Sequence, residues 1–201
     1  MSGELAMGFA TLAHVERAIS MFGSARVPPG TAEYERGRDL AHRLGSAGFA
    51  VITGGGPGLM EAANRGAREA GAMSIGLTIE LPHEAQGNPW IDVPLHFHYF
   101  FTRKVMFVRY ATAFVVLPGG FGTLDELFEV LTLIQTGKIR NFPVVLVDSA
   151  YWAPLVEFLR TRLAAEGRID VDDLDLLRVE DDPERVVEIV AAAAHRTRPR
   201  A

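Results

Sequence analysis

Residues 117–126, Leu-Pro-Gly-Gly-Phe-Gly-Thr-Leu-Asp-Glu, are the most informative stretch of this sequence. An apolar run over residues 113–117 leads directly into a Pro-Gly-Gly turn, and a helix is predicted to open with Thr123. Glycines lack a Cβ atom, so the backbone N–H groups of such a turn can approach a ligand closely, and a helix N-terminus favours an anion. Asp125 and Glu126 are expected in the first helical turn. The stretch therefore predicts a phosphate-binding turn with a carboxylate beside it.

The rest of the chain alternates short apolar runs with amphipathic segments of helical length, a pattern typical of a parallel sheet built from strand–helix units. The predicted strands are Ala18–Phe22, Ala50–Thr53, Ser74–Ile79 and residues 95–99, 113–117 and 143–147. The predicted helices cover residues 32–44, 59–70, 102–111, 124–135, 152–166 and 183–194. We therefore expect an α/β fold, a Rossmann-like open parallel sheet with helices on both faces.

Bulk properties limit the class of protein. A chain of 201 residues without a break in composition predicts a single domain over residues 1–201, with a leader helix in residues 1–17 and a frayed basic tail in 195–201. The net charge of −5 argues against a nucleic-acid partner, and the absence of cysteine excludes disulfides and thiolate nucleophiles. Neither a signal peptide nor an apolar run long enough to span a bilayer is evident, so we expect a cytoplasmic protein without a membrane partner.

Three turns that follow predicted strands are rich in glycine or small polar residues. They are residues 23–30, 54–58 and 118–123. An open parallel sheet binds its ligand outside the carboxyl ends of its strands, near the point where strand order reverses, so these turns are expected to form one crevice. The second turn has Leu59 in place of the third glycine of G-x-G-x-x-G and lacks the lysine of a P-loop, which disfavours nicotinamide dinucleotides and P-loop nucleotides.

Two local patterns have structural as well as functional interpretations. Thr123 and Glu126 fit a T-x-x-E capping box, although a plain cap does not need the three glycines that precede it. Arg103 and Lys104 are predicted at a helix N-terminus, where cations oppose the helix dipole, so they either pair with acids or face an anionic ligand. His96 and His98 lack a clear third ligand, so no metal site is predicted.

The pair Arg103-Lys104, followed by residues 118–126, resembles the RK…PGGxGTxxE signature of the Lonely Guy (LOG) family. Members of this family are cytokinin riboside 5′-monophosphate phosphoribohydrolases and are often mislabelled lysine decarboxylases. Residues 54–60 also match, and the similarity covers roughly residues 19–165. Residues 133–138, Leu-Ile-Gln-Thr-Gly-Lys, resemble the bacterial subgroup that forms higher oligomers.

The resemblance implies hydrolysis of the N-glycosidic bond of AMP or of an N6-substituted AMP, without a cofactor, to give the free base and ribose 5-phosphate. It implies that Arg103 and Glu126 are the catalytic pair. It also implies homodimers that complete each other's sites and assemble further, to hexamers, with the exposed apolar positions of the helix over residues 124–135 at the interface. The predicted substrate-binding residues are Gly119, Gly120, Phe121, Gly122, Thr123, Leu124, Asp125, Lys104, Glu84, Thr132, Ser24 and Gly55.

Two rival functions remain open from the sequence. A lysine decarboxylase would need a pyridoxal phosphate Schiff base, for which Lys104 is the candidate anchor. A non-catalytic carrier of a nucleotide or of a cofactor such as molybdenum cofactor would use the same fold and the same glycine turn, since fold does not imply function. The presence of Glu126 together with Arg103 favours the enzyme.

Overall fold

One parallel sheet organises the protein. The structure is a computed structural model that describes residues 1–80, 87–140 and 142–196. Its strands lie in the order β4-β3-β2-β1-β5-β6-β7, and every neighbouring pair is parallel. Within the described residues the strands are β1 (Ala18–Phe22), β2 (Ala50–Thr53), β3 (Ser74–Ile79), β4 (Val93–Phe97), β5 (Ala111–Val116), β6 (Val144–Leu146) and β7 (Leu177–Val179).

Helices cover both faces of this sheet, which confirms the predicted fold class. They are α1 (Ser2–Leu12), α2 (Ala32–Ser46), α3 (Leu59–Glu69), α4 (Phe100–Tyr110), α5 (Phe121–Gln135), α6 (Ser149–Phe158) and α7 (Pro183–Arg196). Buried side chains of α2, α3 and α7 pack on one face, and those of α1, α4, α5 and α6 pack on the other. None of the helices in the described ranges is long and apolar enough to cross a membrane.

The central strand β1 shows why the sequence forms this sheet. Ile19 and Met21 join the core on one face, while Ala18 and Phe22 join the core on the opposite face, and all four are buried. A strand covered on both faces requires a largely apolar run instead of an alternating one, and the one polar residue of β1, Ser20, is buried with its hydroxyl donating to the Phe107 carbonyl at 2.9 Å. The chain proceeds outward from β1 to β4 and then returns to place β5 on the other side of β1. The order therefore reverses between β1 and β5, where a ligand crevice is expected.

Several predicted boundaries are wrong. The strand predicted over residues 95–99 lies two residues earlier, because Val93 already pairs with Ile75, and Pro94 is tolerated in β4 since β4 is an edge strand. The strand predicted over 113–117 begins at Ala111 and ends at Val116. The helix predicted over 152–166 begins at Ser149, and its α-helical part ends at Phe158, where a π-helical segment, Leu159–Ala164, follows.

The region after residue 166 contains structure that the sequence did not predict. A 3₁₀ helix, Val171–Leu176, leads into β7 at the sheet edge. Strand β7 has only three residues, and two of them are exposed, so it presents no apolar run for periodicity to detect. Of the predicted basic tail, residues 197–201 lie outside the described residues.

Candidate active site

The three glycine-containing turns meet at the carboxyl ends of β1, β2 and β5. Ser24, after β1, donates its backbone N–H to the carbonyl of Pro118 at 2.9 Å, and its own carbonyl accepts from the N–H of Leu59 at 2.9 Å. Gly58 has φ +70°, and a Cβ built on it would lie 2.3 Å from the Ser24 oxygen. Only glycine therefore permits this approach, which joins the turns into one crevice at the reversal point.

Helix α5 begins earlier than predicted. Gly120 is its N-cap and Phe121 its first residue, so Thr123 lies inside the helix and Asp125 and Glu126 fall in the second turn. A Cβ on Gly119 would lie 2.1 Å from the Thr123 Oγ1, which shows that this side chain folds back onto the glycine turn. The capping box, which was the structural alternative for Thr123 and Glu126, is therefore not formed. The glycines permit the earlier start, because an N-cap glycine adopts the required conformation readily.

The early start leaves a group of backbone N–H donors at the glycine turn. The first N–H groups of any α-helix lack partners within the helix, and here they belong to Phe121, Gly122 and Thr123. No side chain of the described ranges caps this end of α5. Tyr151 of α6 fixes the turn from outside, since its hydroxyl donates to the Gly119 carbonyl at 2.7 Å. Sequence reasoning missed Tyr151, because nothing in its spacing indicates the contact.

Glu126 is the buried acid of the crevice. It is 4% exposed, and its Oε1 lies 3.9 Å from the Arg103 Nη2 while its Oε2 lies 4.0 Å from the Lys104 Nζ. Burial raises the pKa of Glu126 to about 7, an effect that the two cations oppose and that Glu129 and Asp125 reinforce. The carboxyl group therefore exchanges its proton near neutral pH, which is the range in which a general base or acid is most effective.

Arg103 connects Glu126 to the turn after β2. Its guanidinium carbon lies 5.2 Å from the centre of the Phe100 ring and 5.5 Å from that of Phe107, distances at which a cation is attracted to an aromatic face. A Cβ on Gly54 would lie 4.0 Å from the Arg103 Nη1. The guanidinium thus lies between the carboxylate of α5 and the glycine turn, so the two residues of the predicted catalytic pair are neighbours.

Lys104 holds α4 and α5 together. Its Nζ lies 2.8 Å from the Asp125 Oδ2 and 2.8 Å from the Glu129 Oε2, and the side chain is largely buried. Burial acts to lower the pKa of Lys104, but the contacts with Asp125 and Glu129 outweigh it, so the pKa is raised above its ordinary value. The ammonium group therefore remains charged and supplies positive potential next to Glu126.

The remaining residues that were predicted to bind the substrate differ in their contacts and exposure. The Thr132 hydroxyl donates to the Phe128 carbonyl within α5 at 2.8 Å, and the Phe121 side chain is 92% exposed. Ser24 Oγ accepts from the Arg26 N–H at 3.1 Å. Glu84 lies outside the described residues. A shallow groove along α5, named the α5 groove below, is lined by Lys104, Phe121, Leu124, Asp125, Phe128, Glu129, Thr132 and Leu133.

A buried amide network that sequence reasoning missed fixes the turn after β2. Gly55 has φ +73°, and its carbonyl accepts from both the backbone N–H of Asn88 at 2.8 Å and the Asn88 Nδ2 at 3.2 Å. The Asn88 Nδ2 also contacts the Gly56 carbonyl at 3.0 Å and the Asn64 Oδ1 at 2.9 Å. Asn64 is fully buried, and an asparagine on the apolar face of α3 is the sequence signal that could have revealed it.

The two histidines make separate contacts. His96 Nδ1 lies 2.5 Å from the Thr78 hydroxyl, and His98 Nδ1 lies 2.9 Å from the Glu80 Oε2. In the part of the chain that the structure describes, no three histidine, cysteine or acidic side chains form a metal-binding group.

Known proteins match this chain in sequence. A family model described as "Possible lysine decarboxylase" matches residues 60–190. The cytokinin riboside 5′-monophosphate phosphoribohydrolase LOG of Oryza sativa subsp. japonica is 35% identical over 149 residues, which are 70% of this chain and 57% of that protein. The cytokinin riboside 5′-monophosphate phosphoribohydrolase of Rhodococcoides fascians is 29% identical over 160 residues, which are 76% of this chain and 78% of that protein. The chain thus spans less than two thirds of the length of the rice relative.

Solved structures match the fold. The molybdenum cofactor carrier protein of Chlamydomonas reinhardtii gives a TM-score of 0.67 at 19% identity, covering 90% of this chain and 99% of that one. The molybdenum cofactor binding protein of Rippkaea orientalis gives 0.64 at 19% identity, covering 88% and 94%. Similarity at this level of identity establishes architecture alone. The family model covers well over half of the chain, and the chain therefore belongs to the LOG family, whose model carries that lysine decarboxylase description.

Proposed function

We propose that this protein hydrolyses the N-glycosidic bond of a nucleoside 5′-monophosphate, AMP or an N6-substituted AMP, to release the base and ribose 5-phosphate. The observation that carries the proposal is the buried Glu126, with a pKa of about 7, beside Arg103 and close to an uncapped helix N-terminus. The relatives named as cytokinin riboside 5′-monophosphate phosphoribohydrolases support the same reaction class.

The phosphate would bind at the start of α5. The N–H groups of Phe121, Gly122 and Thr123 point out of the helix end, and the helix dipole adds positive potential there. Gly119 and Gly120 keep the turn free of side chains, so the phosphate oxygens can reach the backbone. Anchoring the phosphate fixes the ribose and makes remote binding energy available at C1′.

The acid and the arginine would act on the two sides of the bond that breaks. The C1′–N bond breaks with its electron pair moving to the base, which leaves an oxocarbenium-like ribose, as in glycoside hydrolysis generally. The Glu126 carboxylate stabilises this cation and accepts a proton from the water that adds to C1′. Arg103 stabilises the negative charge on the departing base, which takes up a proton. One water molecule is consumed, so that a hydroxyl group ends on the sugar and a proton ends on the base.

A second copy of the chain is the partner that we propose for the α5 groove. Phe121 and Phe128 are exposed along this groove. Phe100 and Val105 of α4, which are close to Lys104 in the sequence, are also exposed. Exposed apolar surface of this kind marks an interaction site. The resemblance of residues 133–138 to the higher-oligomer subgroup supports further assembly of such dimers to hexamers.

A pyridoxal phosphate decarboxylase does not fit this site. A Schiff base forms from a neutral amine, whereas Lys104 is held as a cation by two carboxylates at 2.8 Å each. A carrier function is the second candidate, because solved structures of molybdenum cofactor carriers share the fold. A carrier would bind its ligand at the same turn without using the basicity of Glu126.

The test is product chromatography after incubation with AMP, isopentenyl-AMP and other nucleoside monophosphates in parallel. We expect equimolar base and ribose 5-phosphate from at least one adenine nucleotide. Glu126→Gln should lower base release by roughly 10²–10⁴-fold, the usual contribution of a general base, while calorimetry still detects AMP binding. Glu157→Gln, an exposed acid of α6, is the matched control and should match the wild type. Unchanged turnover in Glu126→Gln excludes the mechanism, and binding without release by the wild type identifies a carrier.

A further inference from the structure

The start of α4 carries two cations directly after a first turn without an acid, whereas helix starts usually carry acids. Arg103 and Lys104 lie at this positive end of the helix, and within the described residues the N-cap Tyr99 supplies no side-chain cap. Two cations at this end are unfavourable for the helix on its own, because the helix dipole and the exposed N–H groups are stabilised by negative charge. Another part of the molecule must therefore stabilise this turn.

Glu4 of α1 supplies the missing carboxylate. Its Oε1 accepts from the His98 backbone N–H at 2.6 Å, and its Oε2 accepts from the Thr102 hydroxyl at 2.7 Å. These two contacts lie on either side of Tyr99, so one carboxylate clamps the helix start by binding both the residue before the N-cap and a residue of the first turn. The His98 backbone hydrogen bond, followed by the Thr102 hydroxyl, lowers the pKa of Glu4, which keeps it ionised.

Helix α1 remains in contact with α4 beyond this clamp. A Cβ on Gly8 would lie 2.7 Å from the Met106 Sδ, and the Phe9 carbonyl accepts from the Tyr110 hydroxyl at 3.3 Å. Successive contacts advance along both helices in the same direction, so the two helices run parallel. Leu12 at the end of α1 is fully buried in the core. The position of Glu4 is therefore fixed by the contacts that Gly8, Phe9 and Leu12 make further along α1.

We infer that α1 is a positioning helix, in which Glu4 fixes the first turn of α4 and thereby sets the distances of Arg103 and Lys104 from Glu126. Glu4 is a positioning residue, since its contacts are with α4 and its N-terminal flank. The inference rests on the proposed function for its kinetic consequences. Helix α1 precedes residues 60–190, so it lies outside the segment that the family model matches.

The inference predicts a separation of kcat from KM. The phosphate donors belong to α5, which Glu4 does not contact among the described residues, so KM for AMP should change by less than about 2-fold. Displacement of Arg103 and Lys104 relative to Glu126 should lower kcat about 10-fold, because small errors of position are costly for catalysis.

The pH dependence of kcat distinguishes the positioning role from a simple loss of folded protein, which would lower the rate without shifting its pH dependence. Arg103 and Lys104 of α4 lower the pKa of Glu126, while Glu129 and Asp125 of its own helix raise it. If the cations withdraw, the pKa of Glu126 rises. The limb on which kcat increases with pH should then move to higher pH in Glu4→Gln.

The experiment compares the wild type with Glu4→Gln from about pH 5.5 to about pH 8.5, with AMP as substrate, and records amide hydrogen exchange of α4 without substrate. Glu16→Gln is the control, because this exposed acid between α1 and β1 has no hydrogen-bond or ion-pair partner within the described residues. Thr102→Val should reproduce Glu4→Gln, and Thr102→Ser, which keeps the hydroxyl, should match the wild type.

The positioning role of Glu4 and the proposed hydrolase function can be contradicted independently of each other. Faster exchange in α4, a lower kcat and a shifted limb in Glu4→Gln and Thr102→Val support the positioning role. Unchanged exchange in both variants overturns it whether or not the wild type is active. If the wild type releases no base, the proposed function fails, and the exchange measurement still decides whether Glu4 fixes α4.

Discussion

Glu126 shows how burial prevails over attraction at a single residue. Two cations lie about 4 Å from its carboxylate oxygens and favour the charged form, but the side chain is almost fully removed from water. The net result is a pKa near 7, so removal from water is the larger effect. A carboxylate in this state keeps substantial basicity, whereas an exposed one would be too weak a base at neutral pH.

This raised pKa makes stability depend on pH. The pKa of Glu126 is about 7 in the folded state against an ordinary value of 4.5, so the folded state binds this proton more tightly than the unfolded chain. Its stabilising contribution is complete below the unfolded pKa and is lost as pH rises through 7. Between acidic pH and about pH 8 the loss is of order 3 kcal/mol.

Urea denaturation of the wild type and Glu126→Gln at several pH values measures this effect. We expect the stability of the wild type to fall relative to the variant as pH rises through 7, since glutamine does not titrate. Parallel stability curves for the two proteins would show that the carboxyl group is not buried in the way described.

Activity should follow the same titration in the opposite direction. If Glu126 acts as the carboxylate, kcat rises with pH through about 7 and then levels off. Initial rates of base release over this range are the measurement. A rate that falls as Glu126 loses its proton would assign it the role of an acid.

At the scale of elements, the crevice depends on how closely two turns approach. Gly58, which caps α3, lies against the backbone of Ser24 after β1, and its φ of +70° excludes most other residues. Gly71, after α3, has φ +72°, but a Cβ there would meet no described atom within 4 Å. Both positions therefore have a positive φ that favours glycine, but Gly58 also has a ψ of −130°, outside the left-handed helical region, and makes the close contact.

Alanine substitutions at these two glycines compare a position that has only a positive φ with one that also has a close contact and an unusual ψ. Gly71→Ala should cost roughly 1–2 kcal/mol from the left-handed conformation alone. Gly58→Ala should cost at least about 1–3 kcal/mol more, because its Cβ would lie 2.3 Å from the Ser24 oxygen and the turns must separate. Denaturation midpoints measure both, and equal losses would mean that the contact is unimportant.

Helix α5 illustrates why element boundaries escape sequence reasoning. A threonine followed three residues later by a glutamate predicts a cap at Thr123, and local propensity gives no reason to begin the helix at Phe121. The packing of Thr123 onto Gly119 and the support from Tyr151 favour the earlier start. Both contacts are tertiary, so only the folded chain reveals them.

At the scale of the whole molecule, the α5 groove predicts self-association. Phe128 is 38% exposed in this groove, and Phe158 of α6 is 50% exposed outside it. We expect light scattering to report a dimer or a larger assembly for the wild type. Phe128→Glu should dissociate it, because a charge buried at an interface without a partner is costly, while Phe158→Glu should leave it intact. A monomeric wild type would contradict the proposed interface.

The sequence by itself determined the fold class, the bounds of β1, β2 and β3, and the turns of the crevice, because strands buried on both faces form short, largely apolar runs and because glycine marks the turns after β1, β2 and β5. Only the tertiary structure decided that Arg103 and Glu126 are neighbours, that Lys104 pairs with Asp125 and Glu129, and that Glu4 clamps α4. These contacts join helices that are distant in sequence. The pKa of Glu126 has the same origin, since removal from water is a property of the packed fold and of no local pattern.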